Sequence, residues 1–217
     1  MKAKTFLILL LTTLLFTLTF CSKSEEPEVL TNDEIIAWQE KLKTIEADPV
    51  SEDEIGIIET KFGTIKFEFF TDVAPNHCAN FKKLANSGFY DWVTFHRVMP
   101  NFMIQGGDIN SKNADPNDDG MGSPGYTVDA EFSDIPHTKG IVSTARKGNN
   151  INSASSQFFI MHAAEYPSLD GNYTVFGKVI EGLDIVDSIA AVPTSGRQGN
   201  NRPLENIYMK KVRVEKK

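Results

Sequence analysis

Short apolar runs separated by polar turns follow one another along residues 55–217. The first two runs, 55–60 and 64–70, flank Lys61-Phe62-Gly63, and apolar side chains in the second run alternate with polar ones. Alternation with period two is typical of a strand with one buried face, so the two runs predict a β-hairpin. Later runs rich in Ile, Val, Phe and Thr predict further strands at 93–98, 102–105, 140–145, 157–162, 174–179 and 207–214.

Two segments have helical periodicity instead. The first begins at Pro75, carries Cys78 and Phe81 on one side and ends at Gly88, and the second covers 183–192. Cys78 lies on the apolar side of its helix, so we expect an inert, buried thiol. Many short strands with two helices predict an antiparallel β-barrel or sandwich capped by helices.

The first twenty residues differ in kind from the rest. Lys2 and Lys4 form a basic start, and the 16 residues 5–20 carry no charge. A bilayer-spanning helix needs about 20 apolar residues, whereas the apolar core of a signal peptide is shorter. We therefore expect residues 1–20 to be an export signal peptide. A short N-terminal membrane anchor that stays on the chain is the alternative.

Cys21 directly follows this run and resembles the cleavage site of bacterial lipoproteins. Leu18 fits that pattern three residues before the cysteine, whereas Phe20 stands where a small residue is usual. The resemblance implies acylation of Cys21 and an exported lipoprotein of the cell envelope, held to the membrane by acyl chains. Ordinary cleavage nearby, which would leave Cys21 free or remove it, is the alternative.

Residues 21–54 are expected to form an acidic tether, since 22–54 hold 11 Asp and Glu against three Lys. Within this tether, Ile35, Trp38 and Leu42 give apolar spacing for one short helix over 33–45. The sequence leaves open whether this helix packs on the domain, binds a partner or forms only transiently.

Charge and cysteine content exclude several classes of protein. The chain of 217 residues has a formal net charge of −7, but residues 55–217 hold 18 acidic and 17 basic residues. A nucleic-acid binder would need a basic face, so we expect no nucleic-acid partner. The two cysteines are too few for a disulfide scaffold or a Cys-rich zinc module.

The most informative stretch is 95–108, which combines a cation, large apolar groups and an amide. If the stretch is extended, Arg97 and Gln105 can flank an apolar floor made by Phe102 and Met103. Such a surface suits a neutral, partly apolar ligand that needs a few directed hydrogen bonds.

This stretch resembles the signature of the cyclophilin family of peptidyl-prolyl cis-trans isomerases. The resemblance implies an isomerase domain over 55–217, built as a closed eight-stranded antiparallel barrel capped by two α-helices, with a substrate groove on its outer face. It extends over nearly all of that domain, because the family's later segments occur in the same order at 125–126, 131–132, 137–145, 156–160, 169–171 and 175–179.

The resemblance also implies roles for individual residues. Arg97 matches the catalytic arginine, and Gln105 matches an amide that hydrogen-bonds the substrate backbone. His96 matches a support beside the arginine. The remaining matches are the pocket for the proline ring (Phe102, Met103, Phe159 and Leu169), a strand edge that holds the peptide (Ala145 and Arg146), and Tyr173, which stands where animal members carry His.

Isomerisation makes and breaks no covalent bond, so the resemblance implies no cofactor and no metal. Residues 115–120 resemble the start of a calcium loop, but Tyr126 stands where the loop needs a bidentate Glu. The implied partners are proline-containing polypeptides, which a monomer would help to fold in the cell envelope. A cyclophilin-fold peptide-binding module with incidental or lost catalysis is the alternative.

Ser168 departs from the animal members of the family, in which a tryptophan precedes the Leu-Asp-Gly segment. That tryptophan meets cyclosporin at the groove edge. Serine lacks both the apolar face and the N–H donor of indole. We therefore expect cyclosporin to bind this chain weakly.

Overall fold

A computed structural model describes residues 27–217 of the chain. The predicted signal peptide and the predicted lipidation at Cys21 lie outside the described residues. The strands fall where the apolar runs predict them, with the runs at 93–98 and 207–214 each divided in two. They are β1 (Glu54–Thr60), β2 (Gly63–Phe69), β3 (Val93–Thr94), β4 (Arg97–Met99), β5 (Met103–Gly106), β6 (Ile141–Thr144), β7 (Phe158–Met161), β8 (Val175–Glu181), β9 (Tyr208–Met209) and β10 (Lys211–Lys216).

Eight strands form one antiparallel sheet in the order β10-β1-β2-β8-β6-β7-β5-β4, and β3 pairs with β9 in a separate ladder. The expected closed barrel is wrong, because the edge strands β4 and β10 are not paired with each other. A loop lies along the outer edge of β4, where Val98 N–H donates to the Asn201 carbonyl at 3.0 Å. The sheet is therefore curled but open.

The described residues form three α-helices, one more than the two expected as caps: α1 (Asn32–Lys43), α2 (Pro75–Asn86) and α3 (Leu183–Ala190). Pro75 starts α2 because its missing N–H is not needed in the first helical turn. The buried Cys78 thiol donates to the Phe176 carbonyl at 3.4 Å, and burial raises the pKa of Cys78 to about 12. No helix within residues 27–217 has the length and apolar character to cross a bilayer.

Two apolar clusters lie on the two faces of the curled sheet. The larger cluster is the core, in which Phe67, Phe81, Phe158 and Phe176 meet largely edge to face. Gly56 leaves room for this packing, since a Cβ there would overlap the ring of Phe67. The smaller cluster is built around residues that alternate with core residues along the same strands, so it forms on the opposite face.

The segment before β1 packs on the domain, which answers the question that the sequence left open for the 33–45 helix. Thr31 and Glu34 cap α1 reciprocally, with Thr31 N–H donating to the Glu34 carboxylate at 2.7 Å. Ile35 and Leu42 are buried in the core cluster, and Trp38 contacts the edge of the Phe89 ring.

Candidate active site

Arg97 and Gln105 face each other on neighbouring strands, in register across the β4–β5 pair. Arg97 Nη1 donates to Gln105 Oε1 at 3.2 Å, and Arg97 Nη2 lies 3.1 Å from Met99 Sδ. Partial burial lowers the pKa of Arg97, but a guanidinium stays protonated in proteins. The structure thus holds a half-buried cation in a fixed orientation at the sheet surface.

The smaller apolar cluster lies beside this cation. Register places Gln105 opposite Phe159, and Phe159 opposite Ser143, so one row of side chains crosses four strands on the same face. The Phe102 ring lies 6.0 Å from Arg97 Cζ. The cluster brings together all the predicted apolar site residues: Phe102, Met103, Phe159, Leu169, Ala145 and Tyr173.

Gln157 also belongs to the site, although it was not predicted. Its Oε1 accepts a hydrogen bond from Gln105 Nε2 at 3.1 Å, and its Nε2 donates to the carbonyls of Gly120 and Gly122, each at 3.0 Å. Gln157 precedes Phe159 by two residues, and this period-two spacing is the sequence signal that identifies it. Gln157 therefore links the Arg97–Gln105 pair to the loop at 113–124.

His137 forms a second unpredicted part of the site. Its ring stacks on Phe159 with centroids 6.0 Å apart, and its Nδ1 and Nε2 lie 2.9 Å from Asp170 Oδ1 and 3.1 Å from Ser143 Oγ. Burial lowers the pKa of His137, while Asp170 opposes that shift. His137 lies behind the apolar floor and joins it to the 3-10 turn Pro167–Leu169 through Asp170.

His96 lies away from the groove. Its side chain is buried at 2% exposure, against the Gly120 segment, and neither ring nitrogen has a hydrogen-bond partner within residues 27–217. Burial, aided by the charges of Arg97 and Arg202, lowers the pKa of His96 to about 4. Adjacent residues of an extended chain point to opposite faces, so a residue next to Arg97 does not share its surface.

That Ala145 and Arg146 hold the peptide stays a prediction, and Ala145 directly follows the end of β6. β6 lies between β7 and β8, and the Ala145 N–H donates to the Gln157 carbonyl at 2.9 Å. Arg146 leans over the Tyr173 ring, with Cζ 4.7 Å from its centroid, and Arg146 Nε donates to the Asn172 carbonyl at 2.8 Å. Both residues line a cavity of about 290 Å³ that adjoins Gln105 and Gln157.

In the acidic loop that resembles a calcium site, the carboxylates of Asp118 and Asp119 bond to other side chains of the protein. Asp118 Oδ2 accepts from Asn110 Nδ2 at 3.0 Å and from Asn113 Nδ2 at 2.9 Å, and Asp119 pairs with Arg202 at 2.5 Å. Residues 27–217 contain no group of three or more His, Cys, Asp or Glu side chains placed to hold a metal ion.

Known proteins resemble this chain in sequence and in structure. The family model for the cyclophilin type peptidyl-prolyl cis-trans isomerase matches residues 56–214. A peptidyl-prolyl cis-trans isomerase of Synechococcus elongatus is 47% identical over 135 residues, which cover 61% of this chain and 86% of the relative. Peptidyl-prolyl cis-trans isomerase B of Bacillus subtilis is 45% identical over 153 residues, which cover 70% of this chain and 90% of the relative.

A solved crystal structure is also similar to this chain. The cyclophilin type peptidyl-prolyl cis-trans isomerase of Cryptosporidium parvum, determined in the presence of the dipeptide Ala-Pro, superposes with a TM-score of 0.67 at 30% identity. The superposition covers 75% of this chain and 99% of that one.

Proposed function

Because this chain belongs to the cyclophilin-type peptidyl-prolyl cis-trans isomerases, we propose that the face carrying Arg97 and the smaller apolar cluster is its catalytic groove. The chain is an isomerase of X–Pro bonds, as its family and its relatives are. The observation that carries the assignment to this face is the fixed Arg97–Gln105 pair at 3.2 Å beside an apolar floor.

The reaction explains why a fixed cation is useful here. Amide resonance gives the peptide bond a rotation barrier of about 18–20 kcal/mol, and an uncatalysed X–Pro bond isomerises in about tens to hundreds of seconds. Twisting the bond breaks the resonance and leaves a lone pair on the proline nitrogen. A guanidinium directed at that nitrogen stabilises the twisted state more than either planar state, which is the condition for catalysis.

The apolar floor and the amide have complementary roles in this proposal. Phe102, Met103 and Phe159 hold the proline ring, while the carbonyl on the other side of the bond rotates. Gln105 Nε2 has a second N–H besides the one that it donates to Gln157, and this N–H is free to bind a substrate carbonyl. One chain supplies every residue of the groove, which supports a monomeric enzyme.

Selective ¹³C labelling of methionine methyl groups tests where the substrate binds. Met99 and Met103 belong to the proposed groove, whereas Met209 is buried in the core cluster and serves as the internal control. Titration of the chain with an X–Pro tetrapeptide should shift the Met99 and Met103 methyl signals and leave the Met209 signal in place. Unchanged Met99 and Met103 signals at a peptide concentration that saturates catalysis would refute the assignment of this face.

The proposed place of action is the cell envelope, on exported polypeptides that fold there. The support is in the sequence: a basic start, 16 uncharged residues and then Cys21. Only residues 22–26 separate Cys21 from Pro27, where the described chain begins, so the six Cα-to-Cα steps between these two residues span at most about 22 Å. An acylated Cys21 would therefore keep the groove close to the membrane surface.

Mass spectrometry of the protein purified from membranes tests this location. The proposal predicts a chain that begins at an acylated Cys21, and predicts that Cys21→Ser moves the protein to the soluble fraction while the matched variant Ser22→Ala stays with the membranes. An unmodified Cys21 on a chain that still carries residues 1–20 would contradict it and favour a retained protein anchor.

A further inference from the structure

The N-terminal segment 27–43 contacts the loop at 113–124 from both sides, although it lies outside the range 56–214 that the family model matches. At the start of the loop, Leu30 N–H donates to the Lys112 carbonyl at 2.9 Å. The Lys112 ammonium lies 5.5 Å from the Trp38 ring, and Trp38 packs on Phe89 of the core. The segment thus fixes one end of the loop to the domain.

Gln39 on α1 fixes the other end. Its Nε2 donates to the Ser123 carbonyl at 3.0 Å, although the two residues are 84 positions apart in the chain. Gly125 permits this approach, because it has φ +85° and a Cβ there would lie 3.1 Å from Gln39 Cβ. The side chain of Gln39 is therefore held against the backbone at Gly125, directly after the loop.

The 120–123 stretch of the loop also contacts the proposed catalytic groove through Gln157. The carbonyls of Gly120 and Gly122 accept both hydrogen bonds of the Gln157 amide, and Gln157 in turn orients Gln105. Gln105 accepts from Arg97. A continuous set of hydrogen bonds and short backbone steps therefore runs from α1 to the guanidinium.

We propose that residues 27–43 are a positioning element of the isomerase, and that Gln39 is its positioning residue. By fixing the 120–123 stretch, Gln39 keeps Gln157 in place and so keeps Gln105 and Arg97 in the orientation that the twisted X–Pro bond needs. Through Gln39, the segment that the sequence presents as a tether then supports the catalytic groove. This inference rests on the proposed role of Arg97.

Gln39→Glu in the full chain tests the proposal, because a carboxylate has nearly the same shape as the amide but cannot donate to Ser123. Gln39→Met removes the donor without adding charge. Glu40→Gln is the matched control: its side chain is 65% exposed and, within residues 27–217, pairs only with Lys43 on the same helix. We expect both Gln39 variants to lower kcat/KM by about three- to tenfold, and the control to change it less than twofold.

A double-mutant cycle with Gln157→Leu separates positioning from general destabilisation. If the effect passes through Gln157, then Gln39→Met should cause no further loss in the Gln157→Leu background. A merely structural role would lower the thermal midpoint and leave kcat/KM of the folded protein unchanged. The proposal is overturned if both Gln39 variants retain activity within twofold of the parent, or if the Gln39→Met loss is undiminished beside Gln157→Leu.

Arg97→Ala assayed in parallel distinguishes this inference from the function on which it rests. An inactive Arg97→Ala with fully active Gln39 variants would refute the positioning role alone. A fully active Arg97→Ala would refute the catalytic assignment, whatever the Gln39 variants do.

Discussion

Arg97 and Gln105 are joined by a hydrogen bond of 3.2 Å in which the guanidinium donates and the amide oxygen accepts. The amide nitrogen of Gln105 donates in turn to Gln157 Oε1 at 3.1 Å. Gln105 thus has two roles at once, since it orients the cation with its oxygen and offers a second N–H to the substrate.

Two substitutions at Gln105 should separate these roles. Gln105→Leu removes both, so we expect a lower kcat and a higher KM, with kcat/KM reduced by about tenfold or more. Gln105→Glu keeps an acceptor for Arg97 but cannot donate, so we expect its main effect to be a higher KM. Steady-state kinetics on an X–Pro tetrapeptide gives both constants, and identical effects of the two variants on kcat and KM would contradict the division of roles.

Ser168 should limit the affinity for cyclosporin. It is exposed on the turn Pro167–Leu169, where the family's animal members carry an indole. An aromatic anchor contributes at least about 2 kcal/mol to an interface, or about thirtyfold in affinity. We therefore expect weak inhibition of the unmodified chain, and a gain of that order from Ser168→Trp, measured by titrating cyclosporin into an isomerase assay.

The neighbouring Tyr166 bears on this prediction, because its ring packs on Phe102 with centroids 4.5 Å apart and so already supplies an aromatic wall. Ser188→Trp, on the exposed side of α3, is the control for adding an indole anywhere on the surface. Nanomolar inhibition of the unmodified chain, or equal affinities for the two tryptophan variants, would show that position 168 does not determine binding.

Local patterns were sufficient to predict the strands, the three α-helices and the apolar floor. Period-two alternation in 64–70 gave β2, and the Pro75 and Gly88 signals bounded α2. The family resemblance supplied the roles of Arg97 and Gln105, and the structure brings these two residues together.

Features that depend on contacts distant in sequence could not be predicted in the same way. The sheet is open at β4, where the Asn201 carbonyl of a distant loop accepts the hydrogen bond from Val98 N–H. The packing of α1 brings Gln39 to Ser123, and amphipathic spacing does not specify which surface a helix contacts. The placement of His96, in contrast, could be predicted, since strand alternation alone indicates that it cannot share a face with Arg97.

His96 should make the fold sensitive to acid. Its pKa is about 4 in the folded chain, because it is buried beside Arg97 and Arg202, against about 6.5 when exposed in the unfolded chain. The unfolded chain therefore takes up the proton first, so the contribution of His96 to the free energy of unfolding is complete above pH 6.5 and declines as the pH falls toward 4. Between pH 6.5 and pH 4, this contribution to the free energy of unfolding falls by about 3 kcal/mol.

Urea denaturation of the parent and His96→Leu at pH 7.5 and pH 4.5 measures this contribution. The variant should lose less stability between the two pH values than the parent does. Asp108, whose pKa burial raises to about 6, acts in the opposite direction but is present in both proteins, so the comparison cancels it. Equal losses in parent and variant would show that His96 does not titrate in this range.

The isomerase activity of Arg97→Ala tests the catalytic account most directly. Removing a fixed charged donor from the twisted state should lower kcat/KM by about 100- to 1,000-fold, a loss of about 2.7–4 kcal/mol, while the circular dichroism spectrum stays unchanged. The half-buried Arg97 donates only to Gln105 and Met99 among the described side chains, so its loss should leave the fold intact. A folded Arg97→Ala that retains activity within about threefold of the parent would contradict the account.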